Sequence, residues 1–295
     1  MRIAHITDIH VQRRPQFSEL FGKRFLGAAN LYIAGRHDHF TPAAQKALVR
    51  ALKAQELDVV ACTGDLTALA TDEEFQAARD LLGPIFAAQP SVIIPGNHDT
   101  YVAQAEAERW IERYFGEWTG QGDWPRLHQH GGVAFVAVDV CRHRPILSTG
   151  EIDAPQLQRL DTLLCNPELK GQFVFLMVHY PLRDRHGQPY GPDTRNIKNA
   201  AALEAVLAKH SDKIGAVLHG HEHHGFRTRM PVADGPDIEI LNPGAGGYAH
   251  LPDKKRTAHF CIYTVQERGI AQVERFAFDG SDFVPETGGA FASGG

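Results

Sequence analysis

Short apolar runs recur along the chain, and most stop abruptly at polar residues. Arg2–Ile6 reads as a strand. So do "DVVACTGD", "SVIIP", "GVAFVAVDV" (132–140), "QFVFLMVHYP" and "IGAVLHGHEHH". Near-continuous apolar character in so short a run is what a strand buried on both faces requires. Between these runs the apolar positions shift to helical spacing. Thr41-Pro42 predicts an N-cap with proline in the first turn of a helix reaching about Leu57. Thr71 and Glu74 form a capping-box pattern for a helix to about Leu82, which Gly83-Pro84 is expected to stop. Further helices are predicted around 102–115, over 155–164 (apolar at Leu157, Leu160, Leu163 and Leu164) and over 199–209. "DIEILNPG", "AHFCIYTV" and "AQVERFAF" then follow as consecutive strands. Alternating strands and helices followed by a run of strands predict an α/β sandwich in one domain, residues 1–278. Residues 279–295, ending "TGGAFASGG", read as a flexible tail.

One segment breaks the pattern. Residues 12–40 interrupt the first strand-helix unit, where a few residues would suffice. They mix Arg13, Arg14, Lys23, Arg24 and Arg36 with Phe17, Leu20, Phe21, Phe25, Leu26 and Tyr32. The segment reads as a lid, as a patch making peripheral contact with a membrane, or as a peripheral lobe or dimer contact. The formal net charge of -5 argues against a general nucleic-acid-binding surface. No apolar run has the length of a membrane span. "MRIAHITDIH" lacks the apolar core of a signal peptide. Cys62, Cys141, Cys165 and Cys261 are scattered, so no disulfide framework is expected and a reducing cytoplasm fits best. Oligomeric state is not legible. Histidine is in excess, with 17 residues and no tract at either end.

The strand ends explain that excess. They carry Asp8-Ile9-His10, Gly64-Asp65, Gly96-Asn97-His98-Asp99, His179, and Gly220-His221-Glu222-His223. Each motif alone is common, and Gly-Asn-His-Asp alone reads as a turn. Together they occur after successive predicted strands, where open α/β sheets build their sites. Asp8 and Asp65 offer hard oxygens, Asn97 a neutral carbonyl oxygen, and His10, His179, His221 and His223 imidazole nitrogens. That set is too large for one structural zinc. It suits two ions about 3.5–4 Å apart, bridged by a carboxylate and a water. Asp-x-His and His-x-His place paired side chains on one side of an extended segment. Gly64, Gly96 and Gly220 let the backbone pass close by.

In this order the motifs resemble the calcineurin-like metallophosphoesterases, over roughly residues 1–265. "HITDIH", "TGDL", "PGNHD", "VHYP", "GHEHH", "GEIDAPQLQRL" and "LNPGA" look most like the bacterial cyclic-nucleotide and glycerophosphodiester phosphodiesterase branch. The resemblance implies a four-layer α/β/β/α sandwich with two mixed β-sheets. It implies that Asp8, His10, Asp65 and His223 hold one metal and that Asp65, Asn97, His179 and His221 hold the second. It further implies that His98 contacts the phosphoryl oxygen or leaving group, and that Asp99 orients the turn. His219 and His224 match no ligand position. Ala68 stands where the protein-phosphatase branch carries an Asp. That weakens a phosphoprotein phosphatase reading and removes the usual carboxylate partner of His98.

The implied reaction is direct hydrolysis at phosphorus by a metal-bridging hydroxide, with Asp65 and His98 as the catalytic pair. Manganese, iron or zinc suits the donors. The expected substrate is a small phosphodiester, such as a cyclic nucleotide. Asn97, His98, Arg142 and His224 are candidate substrate contacts, and His143, Arg183 and Arg185 also follow strand ends. An acylated UDP-sugar pyrophosphate of lipid A synthesis is the alternative substrate, through the 12–40 segment. A non-catalytic scaffold of the same fold is the alternative of another class. A nuclease fits poorly with the acidic balance.

Overall fold

The computed structural model describes residues 1–19, 22–32, 36–267 and 269–286. The chain order is β1 (Arg2–Ile6), α1 (Lys23–Tyr32), α2 (Pro42–Lys53), β2 (Val59–Cys62), α3 (Asp72–Phe86), β3 (Ser91–Ile93), α4 (Ala103–Ala107), α5 (Trp110–Thr119), β4 (Arg126–His130) and β5 (Val133–Ala137). It continues with α6 (Ala154–Leu164), β6 (Phe173–Met177), α7 (Ala200–Lys209), β7 (Ile214–Leu218), β8 (Phe226–Met230), β9 (Ile238–Asn242), β10 (His259–Gln266), β11 (Gly269–Phe278) and β12 (Phe283–Pro285).

The strands form two sheets of six, ordered β12-β11-β10-β1-β2-β3 and β4-β5-β6-β7-β9-β8. In the first, β1, β2 and β3 run parallel and β10 pairs antiparallel to β1. In the second, β5, β6, β7 and β9 run parallel between antiparallel β4 and β8. Both sheets are therefore mixed. Strand alternation divides the buried side chains between layers. Ile3, Val59, Ala61, Val92, Phe135, Phe175, Met177 and Leu218 pack between the sheets. Ala4, Ile6, Val60 and Cys62 turn outward to meet Leu48, Phe75, Leu82 and Phe115 of α2, α3 and α5. Val174, Leu176 and Val217 meet Leu160, Leu164, Leu203 and Leu207 of α6 and α7. The result is the expected α/β/β/α order of layers.

Helix starts follow the caps read from sequence. Thr41 accepts from the Ala44 amide, and Thr71 and Glu74 complete the capping box. The stop at Gly83-Pro84 does not hold: α3 continues through both to Phe86. Ile85 and Phe86 are buried in the core beneath it, and that burial outweighs the cost of one missing donor. The helix expected around 102–115 is two, α4 and α5. β4 and β8, which the apolar pattern misses, are edge strands with mixed burial.

The tail expected from residue 279 also needs correcting. β12 pairs with β11, and Phe283 packs against Phe260 and Phe278 with tilted rings. The Arg50–Asp282 and Arg275–Glu286 ion pairs add to this hold on the sheet edge. The remainder of the expected tail, 287–295, lies outside the described residues.

The 12–40 segment contributes α1, which docks on the loop after β2. Arg24 is buried, and its Nε donates to the Leu69 carbonyl at 3.2 Å while Nη2 donates to that of Ala70. Gly27 allows the close approach: a Cβ there would lie 2.6 Å from the Tyr101 hydroxyl and 2.7 Å from Leu69 Cδ2. Phe25 and Leu26 point outward, 57% and 61% exposed. No helix among the described residues is long and apolar enough to cross a membrane. All four cysteines are free.

Candidate metal centre

The ends of β1, β2, β3, β6 and β7 bring the seven sequence-predicted ligands together. The loops that carry them are not extended. Asp8, His10, Asp65 and His221 all have positive φ, between 48° and 68°, a region that Asp and His enter more readily than most residues. The period-2 argument for Asp-x-His therefore finds the right residues through the wrong geometry: both lie beyond β1, in a left-handed turn. Backbone bonds hold that turn. The amides of Ile9 and His10 donate to Asp65 O, at 2.9 Å and 3.0 Å.

Asp65 is central. Its Oδ2 lies 3.6 Å from His10 Nε2 and 3.4 Å from His179 Nε2, and its Oδ1 accepts from the His98 amide at 2.7 Å. Asp8 Oδ1 lies 3.6 Å from His10 Nε2 and 3.6 Å from His223 Nε2. Asn97 Oδ1 faces His179 Nε2 at 3.1 Å and His221 Nδ1 at 2.8 Å. Three overlapping groups can hold an ion: Asp8, His10 and His223; His10, Asp65 and His98; Asp8, Asp65 and His179.

The donors fit cations. Asp8 Oδ1 and His10 Nε2 are buried and make no hydrogen bond, whereas buried polar atoms are almost always paired. Burial alone would raise the Asp8 carboxyl, but His10 and His223 pull it down to about 2. Burial opposes a charge on His179, yet Asp65 overrides it and pushes the imidazole up to about 9. Metal ligation needs the neutral ring, so a cation would displace that proton. His179 Nδ1 faces the Thr63 carbonyl at 2.7 Å, which orients Nε2 toward Asp65 and Asn97.

The glycines are needed for space. A Cβ on Gly64 would lie 2.3 Å from Gly96 N, one on Gly96 2.1 Å from Asp65 Oδ1, and one on Gly220 2.0 Å from Thr7 Oγ1. Asp99 orients the turn, accepting from the amides of Gly96, Leu66 and Thr67 at 2.9, 3.3 and 3.0 Å.

His98 has a partner after all. Its Nδ1 donates to the main-chain carbonyl of Ala68 at 2.5 Å, and its ring stacks on Tyr101 with centroids 5.3 Å apart. A carbonyl replaces the carboxylate whose absence Ala68 signalled. Burial pushes the ring down to about 4. His98 lines a cavity of about 150 Å³ with His10, His223, Phe40, Tyr101, Tyr248 and Arg256.

The other candidates scatter. Arg142 Nη1 lies 3.3 Å from Asp139 and Nη2 3.8 Å from Asp153, in a separate cavity behind the Asn97 turn. Arg183 pairs with Glu204, and His143 Nδ1 lies 3.0 Å from the Tyr101 carbonyl. His219 is buried against Phe226, its Nδ1 2.9 Å from the Gly220 carbonyl. His224 and Arg185 line a neighbouring groove. Residue-by-residue reading missed Tyr101, Phe40, Tyr248 and Asn242. Asn242 Nδ2 donates to the Glu222 carbonyl at 2.8 Å and its Oδ1 accepts from the Gly244 amide at 2.8 Å, tying "LNPGA" to the histidine loop.

Comparison with known proteins agrees with this geometry. The calcineurin-like phosphoesterase family matches residues 1–225. A probable cyclic nucleotide phosphodiesterase of Vesicomyosocius okutanii is 25% identical over 194 residues, 66% of this chain and 73% of that protein. Among solved structures, the purple acid phosphatase PPD1 of yellow lupin (Lupinus luteus) seeds aligns with a TM-score of 0.59 at 12% identity, covering 97% of this chain and 52% of that one. The chain thus spans about half the length of the lupin protein. TT1561 of Thermus thermophilus aligns with a TM-score of 0.51 at 13% identity, covering 93% of this chain and 97% of that one. These structural likenesses bear on the fold alone. With the family match covering most of its length and the candidate ligands gathered at the strand ends, the chain belongs to the calcineurin-like phosphoesterases.

Proposed function

We propose that the protein is a metal-dependent phosphodiesterase acting on a small diester such as a cyclic nucleotide. The observation that carries this reading is the undiminished donor set around Asp65, which a non-catalytic scaffold would not need to keep together. The name of the Vesicomyosocius relative supports it. In this reading Asp8, His10, Asp65 and His223 hold one ion and Asp65, Asn97, His179 and His221 the other. When bound, manganese, iron or zinc would supply Lewis acidity that neutralises phosphoryl charge and acidifies water.

The chain's own groups do the rest. Asp65 sits between both donor groups and fixes His98 through its amide. His98 Nδ1 is committed to Ala68 O, so Nε2 is the ring atom left for substrate. Burial keeps the free ring neutral at pH 7. Negative charge on a bound phosphate favours its protonation. The imidazolium can then donate to a phosphoryl oxygen or to the leaving oxygen. Phe40, Tyr101 and Tyr248 give one arm of the diester an aromatic wall. The exposed Phe25 and Leu26 on α1 favour a second reading, in which the segment meets a lipid surface and the substrate is an acylated UDP-sugar pyrophosphate.

Manganese-loaded protein is expected to cleave bis-(p-nitrophenyl) phosphate and cyclic AMP faster than p-nitrophenyl phosphate. Cleavage of a UDP-sugar pyrophosphate alone would move the assignment to the second reading. No turnover of any of them would contradict both.

Lys23 supplies a pH test. Its Nζ lies 4.4 Å from the centre of the Tyr101 ring, which in turn stacks on His98. Burial pushes its ammonium down to about 8, against the pull of Asp65. The lysine is charged below that pH and neutral above it. KM for an anionic diester is expected to rise between pH 7 and 9, and Lys23→Arg is expected to remove that rise, because arginine stays charged. Superimposable KM profiles for the two proteins would exclude Lys23 from substrate binding.

A further inference from the structure

The cavity over His98 adjoins a second one. They share the wall made by His223, Tyr248 and Arg256. The second has a volume of about 460 Å³ and is lined further by Arg185, Lys255, Arg275 and Glu286. Its charge is opposite to that of the whole chain, which carries a formal -5. Four fixed cations, Arg185, Lys255, Arg256 and Arg275, face one carboxylate.

That carboxylate is already engaged. Glu286 Oε2 lies 2.8 Å from Arg275 Nη1 and 3.7 Å from His259 Nε2. Arg256 Nη1 donates to the Tyr248 hydroxyl at 3.0 Å, which aims it along the shared wall. Arg185, Lys255 and Arg256 are exposed, and none forms an ion pair among the described residues. The loop that carries Lys255 and Arg256 is closed by reciprocal bonds, Leu251 N to Arg256 O at 2.7 Å and Arg256 N to Leu251 O at 3.1 Å. Several cations lining one groove favour an anion with several acceptor oxygens, which can accept from more than one of them.

We infer that this groove is a subsite for a second phosphate group of the substrate. The substrate class is then a phosphodiester with a further phosphate on one of its arms. The scissile phosphate lies at the metal centre and the second one among Arg185, Lys255 and Arg256. This assignment rests on the diesterase reading for the position of the first phosphate.

The test is equilibrium binding to manganese-loaded protein by calorimetry, comparing thymidine 3′,5′-bisphosphate with thymidine 5′-monophosphate. The bisphosphate is expected to bind at least about tenfold more tightly, through two or more charge-assisted contacts. The preference is expected to shrink to less than about threefold in Arg185→Gln/Lys255→Asn. Both positions are exposed, and asparagine suits the left-handed conformation of Lys255 (φ 50°). Equal affinity for the two ligands, or a preference unchanged in the double variant, would overturn the subsite. Turnover of bis-(p-nitrophenyl) phosphate by the same preparation reports separately on the diesterase reading. A preference for the bisphosphate that depends on the two cations, without diester turnover, would uphold the subsite and remove the proposed activity. Turnover without that preference would do the reverse.

Discussion

Asp65→Asn is expected to lower kcat for diester cleavage by about 10³-fold or more, with the fold intact. Asparagine tolerates the left-handed conformation at this position (φ 56°) and keeps an oxygen for the His98 amide. What it removes is the negative charge between His10 and His179, at 3.6 Å and 3.4 Å. The loss is therefore electrostatic, and it falls on both proposed ion sites at once. Metal content should drop together with kcat, while the circular dichroism spectrum stays unchanged. A variant that keeps its metal and more than a tenth of its activity would take Asp65 out of the bridging role.

The second large effect is steric. Gly96→Ala places a methyl group 2.1 Å from Asp65 Oδ1 and 2.2 Å from Asp65 N. The second contact is backbone, so the neighbour cannot rotate away. Either the turn after β3, which carries Asn97, or the Asp65 loop must shift. A destabilisation of about 3 kcal/mol or more is expected in denaturant titration, together with loss of metal binding in whatever folds. Gly116→Ala is the matched control. It lies in α5, and nothing stands within 4 Å of the added carbon. That substitution should change stability by less than about 1 kcal/mol, because Gly116 follows the kink at Phe115 and helix propensity acts only partly there. If the two variants unfolded alike, the close approach at Gly96 would not be what the site requires.

These effects fall where the sequence was most legible. Buried parallel strands such as "FVFLM" and "VVAC" are continuous apolar runs, so the polar residue that ends each one stands out. That contrast located the Asp8, Asp65, Asn97, His179 and His221 positions. Edge strands lack it. "RLHQH" and "FRTRM" are mostly polar and only partly buried, and neither β4 nor β8 was visible. Tertiary burial overrode local signals at Pro84 and at Phe283. Main-chain groups are silent in a sequence read for side chains. Ala68 signalled the loss of a partner for His98, and the Ala68 carbonyl turned out to be that partner. The groove went unread for a different reason: Arg185, Arg256 and Arg275 are separated in sequence and line one groove only in the folded chain.

The central claim is that this donor set binds two ions, and the most direct test is a count of metal per chain. Protein loaded with manganese and passed through gel filtration is expected to retain about two ions per chain. It should fall to one or none in Asp65→Asn, while a surface variant such as Gly116→Ala keeps both. Fewer than one ion in the wild-type protein, under conditions where it is folded, would contradict the account.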